Sequence, residues 1–217
     1  LKAITVLRRE AGVSPAYCNA LLVAGVIAEN DGDFASAAHA YREALRISEA
    51  STNIVTLVAA HYRLGRVHFL RGDTADATAS LQRMLEIAHP MGNTTHLALG
   101  QAALAACLVR AGAWRRADAV IAAGLATARR AQRHDALAHL LVMAATIAVH
   151  RDGGAAGEAA IAAVREHADE TGNRAEAFEA DILDAELSTA SGAHDAARRA
   201  LQASIARAGD GADSAMR

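Results

Sequence analysis

Ten histidines and two cysteines are the residues of this 217-residue chain with the widest chemical reach. Imidazole and thiolate serve as metal ligands, proton shuttles and nucleophiles. Their spacing argues against all three uses. His61 and His68 lie seven apart and so share a helix face, but two turns separate them. No His-Glu-x-x-His and no Cys-x-x-Cys occurs, so a zinc site is not expected. His89 with His96, and His134 with His139, straddle or flank junctions between helices. Cys18 and Cys107 sit among apolar helical residues, which predicts inert core thiols rather than Cys-His nucleophiles. Asp152-Gly153-Gly154 has no strand before it and no lysine after it, as a phosphate loop would need. The expectation is a protein without metal, cofactor or catalytic site.

The charged residues point the same way. Arg115-Arg116, Arg129-Arg130 with Arg133, and Arg198-Arg199 are offset by Asp118, Asp135 and Asp195. The formal net charge is −2 and aromatics are 3%, so nothing interleaves with the arginines to stack on bases. These clusters read as solvated helix faces, and direct nucleic-acid binding is not expected. The best apolar run, Leu140–Val149, is flanked by His139 and His150 and falls short of the ~18–20 residues of a membrane span. No basic segment precedes an apolar one, although the chain lacks an initiator Met and a targeting segment could have been removed. Two distant cysteines without metal-like spacing suit reduced thiols and a cytoplasmic setting.

The elements that carry these residues follow from composition and period. Hydrophobic residues make up 53% of the chain and alanine supplies about half of them, while prolines number two. Such a core is built by close approach of helix backbones, and the chain reads as all-α. Glycines recur at Gly32, Gly72, Gly112 and Gly192, a period of forty, with Gly153 one residue off. Five residues beyond that turn stand Ala37, Ala77, Ala117, Gly157 and Ala197, and four further on Tyr41, Leu81, Ile121, Ile161 and Leu201. Half a period away come Asn53, Asn93 and Asn173, while the matching site near Arg133 has lost the signal.

Each unit of forty therefore holds two helices. Glycine closes the first, and Asp33 or Asp73 caps the second. Asn53, Asn93 and Asn173 fit N-caps at the other junction, with Glu176 as capping-box partner of Asn173. Ser14-Pro15 gives another helix start, and Pro90 helps stop a helix. Gly25, Gly65, Ala105 and Ala145 supply a small site on each first helix, expected to face the small column on the second. Leu21, Leu64, Leu104 and Leu141 flank it. No pair buries that seam alone, so the pairs stack into a solenoid.

These columns resemble the tetratricopeptide repeat. Leu21–Ala44 matches it best, through Gly25, Ala37, Tyr41 and Ala44, followed by His61–Met84 with Gly65, Ala77 and Leu81. The third unit keeps Ala105, Ala117 and Ile121, and the fourth has Gly157 in place of alanine. In the fifth, Asp181 and Asp184 fall where apolar residues are expected and leave its register open. The forty-residue period and the segment Glu86-Ile87-Ala88-His89-Pro90-Met91-Gly92-Asn93 look like the variant in large bacterial regulators of the MalT/LuxR or SARP kind. Leu7–Pro15 looks like the point where repeats follow their STAND-type ATPase. The resemblance implies a right-handed α-solenoid of about five helix pairs plus a leading half-repeat, acting between a nucleotide switch and a DNA-binding output.

The implied organisation is one helical repeat domain over 1–208: a half-repeat at 1–13, then repeats 14–52, 53–92, 93–132, 133–172 and 173–208. Residues 209–217 read as a flexible exit linker. Lys2–Ala11 reads as the second helix of a repeat whose first helix is missing, which suggests excision from a longer protein and self-association through that exposed helix. By analogy with the family the first helices line the concave face. That face would carry Asn19, Leu22, Val26, Glu29 and Asn30, then Tyr62, Arg66, Phe69 and Leu70. Leu99, Ala106, Val109 and Arg110 follow, then His139, Val142, Thr146 and His150. The mix suits a peptide, an amphipathic helix or a small effector; packing against a neighbouring domain, or a scaffold without a small ligand, is the alternative. Leu22 and Val26 stand where the family's carboxylate clamp would place polar residues, and no lysine follows Lys2, so that clamp is absent.

Overall fold

A computed structural model describes residues 15–214, with side chains from 16 to 206. The expected half-repeat at 1–13, with its exposed helix, and the cap Ser14 lie outside the described residues. Among the described residues ten α-helices run in order: α1 Pro15–Asn30, α2 Phe34–Ala50, α3 Ile54–Arg71, α4 Thr74–Ala88, α5 Thr94–Arg110, α6 Trp114–Arg130, α7 His134–Ile147, α8 Gly154–Thr171, α9 Arg174–Ala190 and α10 His194–Ser214. The fold is an all-α helical repeat of the solenoid class, with no strand among the described residues. Two compact units divide between Ala131 and Gln132. The first holds α1–α6 and the second α7–α10.

The helix ends show why forty residues make one unit. Asp33 accepts from the Ser36 amide at 3.0 Å, and Asn53, Asn93 and Asn173 accept from the amides three residues on at 3.2–3.3 Å. These are the N-caps read from the sequence. Asp73 is different: its carboxylate turns to Arg71 at 3.2 Å and makes no cap bond. Gly32, Gly72, Gly112, Gly153 and Gly192 all have positive φ, between 64° and 85°, where a first helix closes; Gly72, with ψ of 1°, is a left-handed cap, whereas Gly153 has ψ of −165°. The second junction holds a matching column. Thr52, Gly92, Gln132 and Gly172 have φ of 51°, 62°, 51° and 66°. The geometry therefore repeats where the sequence signal lapses, because Thr52 and Gln132 adopt a glycine conformation without being glycine.

Two irregularities are absorbed locally. Gly153 stands one residue late because α7 continues into a π-helical turn over Ala148–Asp152, where the Gly153 amide bonds the Ala148 carbonyl at 2.8 Å. The wider i→i+5 ring takes up the extra residue. α10 runs on to Ser214, so residues 209–214, expected as linker, are helical. Gly209 and Gly211 cost about 1 kcal/mol each relative to alanine in a helix, which weakens a helix without forbidding it.

The small column on the second helices is buried: Ala37, Ala77 and Ala117 are fully enclosed. On the first helices the small sites also receive the large column: Gly65 faces the Ala77 carbonyl, 3.4 Å from an ideal Cβ, as well as Leu81. A Cβ built on Gly25 would meet the Tyr41 ring, and one on Gly65 would meet Leu81. The glycines are sockets for the large column of the facing helix. In the fifth repeat Ala185 and Ala197 keep the forty-residue register and are buried, with Leu183 and Leu187 filling the core. Asp181 and Asp184 turn out to Arg165, and Ser204 donates to Asp181 at 2.6 Å.

Candidate functional site

Within the first unit, α1 touches α3 and α3 touches α5, so the first helices of successive pairs form a continuous layer. Polar ties join them. Glu29, near the end of α1, has a side chain only 7% exposed. Its Oε1 lies 3.1 Å from Arg66 Nη2 on α3, while Oε2 accepts from the Tyr41 hydroxyl at 3.0 Å and lies 3.9 Å from Arg63 Nη1. Burial foremost, and then the Glu29 charge, raises the Tyr41 phenol above its ordinary range, so it stays a donor. One turn on, Arg110 of α5 donates to the Phe69 carbonyl at 2.7 Å and stacks over the Phe69 ring at 3.4 Å. That stack is a cation–π contact.

The residues expected on this face are therefore partly brought together. Glu29 pairs with Arg66, and Phe69 with Arg110. Leu22 and Val26 are half-buried, Leu22 against the α1–α3 core, and Leu99, Ala106 and Val109 are half-buried on α5. Leu70 and Asn30 are exposed. Tyr62 packs against Val58, Met84 and Ala88, so much of its ring belongs to the core. Asn19 lines a different feature, an open groove of about 1170 Å³ along α1 and α2 that also takes in Val23 and Ile27.

In the second unit, α7 touches α9. His150, in the π-helical turn, reaches Glu186 of α9 at 3.3 Å. His139 is exposed and bonds the Asp135 carbonyl at 2.7 Å, Thr146 donates to the Val142 carbonyl of its own helix, and Val142 packs on the core. Of these four, His150 makes the polar tie to α9, while Val142 packs on a core to which α9 contributes Ala180 and Leu183.

Sequence reasoning passed over Arg63, whose place beside Glu29 follows from a contact 34 residues away in sequence. It also missed the polar cluster of His134, His167 and Glu176. Glu176 does not return to the Asn173 backbone amide as a capping box would. Its carboxylate faces His167 instead, at 2.9 Å, and the Asn173 amide bonds Ala168. No group of three or more His, Cys, Asp or Glu among the described residues can hold a metal ion. No helix among them is long and apolar enough to cross a membrane. Burial pushes the Cys107 thiol up to about 11.

No protein-family model matches the chain, and no curated protein matches it. Solved structures do. The crystal structure of BtubC (BKLC) from P. vanneervenii aligns with a TM-score of 0.75 at 18% identity, covering 97% of this chain and 89% of that one. Two crystal structures of MamA align with TM-scores of 0.55, also at 18% identity, covering 87% and 90% of this chain and 96% and 94% of theirs. The likeness defines the class as a helical-repeat protein of all-α solenoid type. At this identity it speaks for the fold alone.

Proposed function

We propose that this chain is a non-catalytic protein-interaction scaffold, and that the first-helix layer of its first unit receives a partner segment combining apolar and acidic residues. The carrying observation is a segregation of charge. α1, α3 and α5 contain one carboxylate, Glu29, against Arg63, Arg66, Arg71 and Arg110. The Glu29 side chain is 7% exposed and faces both Arg63 and Arg66, and Arg71 pairs with Asp73. One carboxylate shared by Arg63 and Arg66 leaves that group net positive, and Arg110 adds a second charge; Arg66, its side chain 42% exposed, and Arg110 are the guanidiniums open to a partner, with Leu70 exposed on α3. Guanidinium forks bind carboxylates in two-point fashion, and the neighbouring apolar surface adds burial.

The experiment is selection from a random peptide display library on the immobilised chain, followed by anisotropy titration of the enriched peptides. Peptides carrying Asp or Glu beside a large apolar residue are expected, with affinity falling at least about tenfold in Arg66→Gln/Arg110→Gln. Enrichment of peptides without acids, or binding indifferent to both substitutions, overturns the proposal.

A narrower form places this scaffold in the cytoplasm within a larger bacterial regulator, between an ATPase and a DNA-binding output. There the same face reads a peptide or small effector, and copies associate through the half-repeat expected at 1–13. The forty-residue period and the Glu86–Asn93 segment support that form, and the full-length reading frame tests it. A phosphate-binding loop upstream and a helix-turn-helix downstream are expected; flanks of another kind refute it.

A further inference from the structure

The second unit holds a buried polar chain that plays no part in the proposed interface. Glu176, the third residue of α9, is 3% exposed, and His167, in the last turns of α8, is 6% exposed. His167 Nδ1 lies 2.9 Å from both oxygens of Glu176. His134, the first residue of α7, is exposed and brings its Nδ1 to 3.4 Å from His167 Nε2. The two rings are nearly parallel, inclined by 22° with centroids 5.6 Å apart. Three helices thus meet through one ring-to-ring and one ring-to-carboxylate contact.

Counting protons shows what this arrangement tolerates. With Glu176 ionised and both rings neutral, His167 Nδ1–H donates to the carboxylate and its Nε2 accepts from His134 Nδ1–H. One added proton is accommodated: His167 becomes the cation, and its Nε2–H donates to His134 Nδ1. A second proton is not. Both facing nitrogens then carry hydrogens, the bond between them is lost, and two cations stand in contact beside one carboxylate. From α7 the ionisable group facing His167 is His134, and from α9 it is Glu176. On α8 itself Glu166, Asp169 and Glu170 are exposed, and Asp135 beside His134 is held by Arg133.

We propose that His134, His167 and Glu176 form a proton-operated latch that fastens the start of α7 to α8 and α9 and releases it on acidification. His134 is the member that leaves, because it is exposed whereas His167 is retained by a buried carboxylate. Release follows uptake of the second proton on acidification.

The test is hydrogen exchange of the whole chain at pH 7.5 and 5.0, corrected for intrinsic rates and read at the amides of residues 137–141. Leu137, whose amide bonds the Arg133 carbonyl at 2.9 Å, begins the protected run. Wild type is expected to lose about tenfold in protection there at pH 5.0, beyond any loss in peptides of the first unit. His134→Gln keeps a donor but no charge, and because residue 134 is exposed the fold is retained; its protection should not depend on pH in this way. Nitrogen-detected NMR at pH 7.5 should show both His134 and His167 as Nδ1–H tautomers. An equal acid loss in His134→Gln, no loss in wild type, or the opposite tautomer at His167 overturns the proposal.

Discussion

Tyr41 fills the space in which a side chain on Gly25 would begin: an ideal Cβ there would lie 2.3 Å from the ring's Cε1 and 2.7 Å from Cζ. The ring cannot give way, because it is fully buried and its hydroxyl is tied to Glu29 at 3.0 Å. Gly25→Ala gains up to ~1 kcal/mol of helix propensity but overpacks a rigid site, so a net loss of about 1–2 kcal/mol is expected in denaturant unfolding. Gly100 is the control. A Cβ there meets Met84 Sδ and Leu85 Cδ2, both near the ends of flexible side chains, so Gly100→Ala should lie within ~1 kcal/mol of wild type. Equal losses at the two positions would refute the socket reading of Gly25.

Ala77 and Ala117 occupy the small column of the second helices and are fully buried. Replacing either with leucine forces extra methylenes into a closed crossing and should destabilise the chain by about 1–3 kcal/mol. Thermal or denaturant melting measures it, and unchanged melting would remove these alanines from the helix crossing.

Thr52 holds φ at 51° in a column where Gly92 and Gly172 stand. A β-branched residue is strained in the left-handed region, whereas glycine is not, although glycine adds entropy to the unfolded chain. Thr52→Gly should therefore stabilise by up to ~1 kcal/mol. Gln132→Gly should act in the same direction, and lower stability in both variants would contradict the strain assignment.

His61 is held below the ordinary histidine value, first by burial and then by the positive charge of Arg83, and its Nδ1 has no hydrogen-bond partner. The native state therefore resists protonation that the unfolded chain accepts. As pH falls through ~6.5 the unfolded state binds the extra proton, and stability declines until the lower native value is passed. His61→Leu removes this contribution, so its melting temperature should fall less than wild type between pH 7 and pH 5. Parallel curves for the two proteins would show that His61 is not the responsible group.

Periodicity in the sequence revealed more of the fold than of the site. Glycine after Gly32, a small residue after Ala37 and a large apolar residue after Tyr41 recur about every forty residues because each repeat makes the same turn and crossing, so local physics repeats in the residue types. The left-handed column at the other junction was legible only at Gly92 and Gly172, since Thr52 and Gln132 adopt its conformation at the cost of strain rather than by a change of residue. The large occupants of the small sites were not legible for a related reason. Composition says that Gly25 and Ala37 are both small, but not that Gly25 opposes Tyr41.

The sequence by itself determined an all-α repeat, its period, most of its caps and its buried alanines, all of which depend on contacts within one or two adjacent helices. Only the tertiary structure decided that Glu29 is buried between Tyr41, Arg63 and Arg66, that Arg110 lies on Phe69, and that His134, His167 and Glu176 meet. Those partners are 12 to 41 residues apart or belong to three different helices. A charged or aromatic side chain can satisfy itself in many directions, and which one it takes is set by how successive helices stack, a relationship that no spacing along one helix encodes.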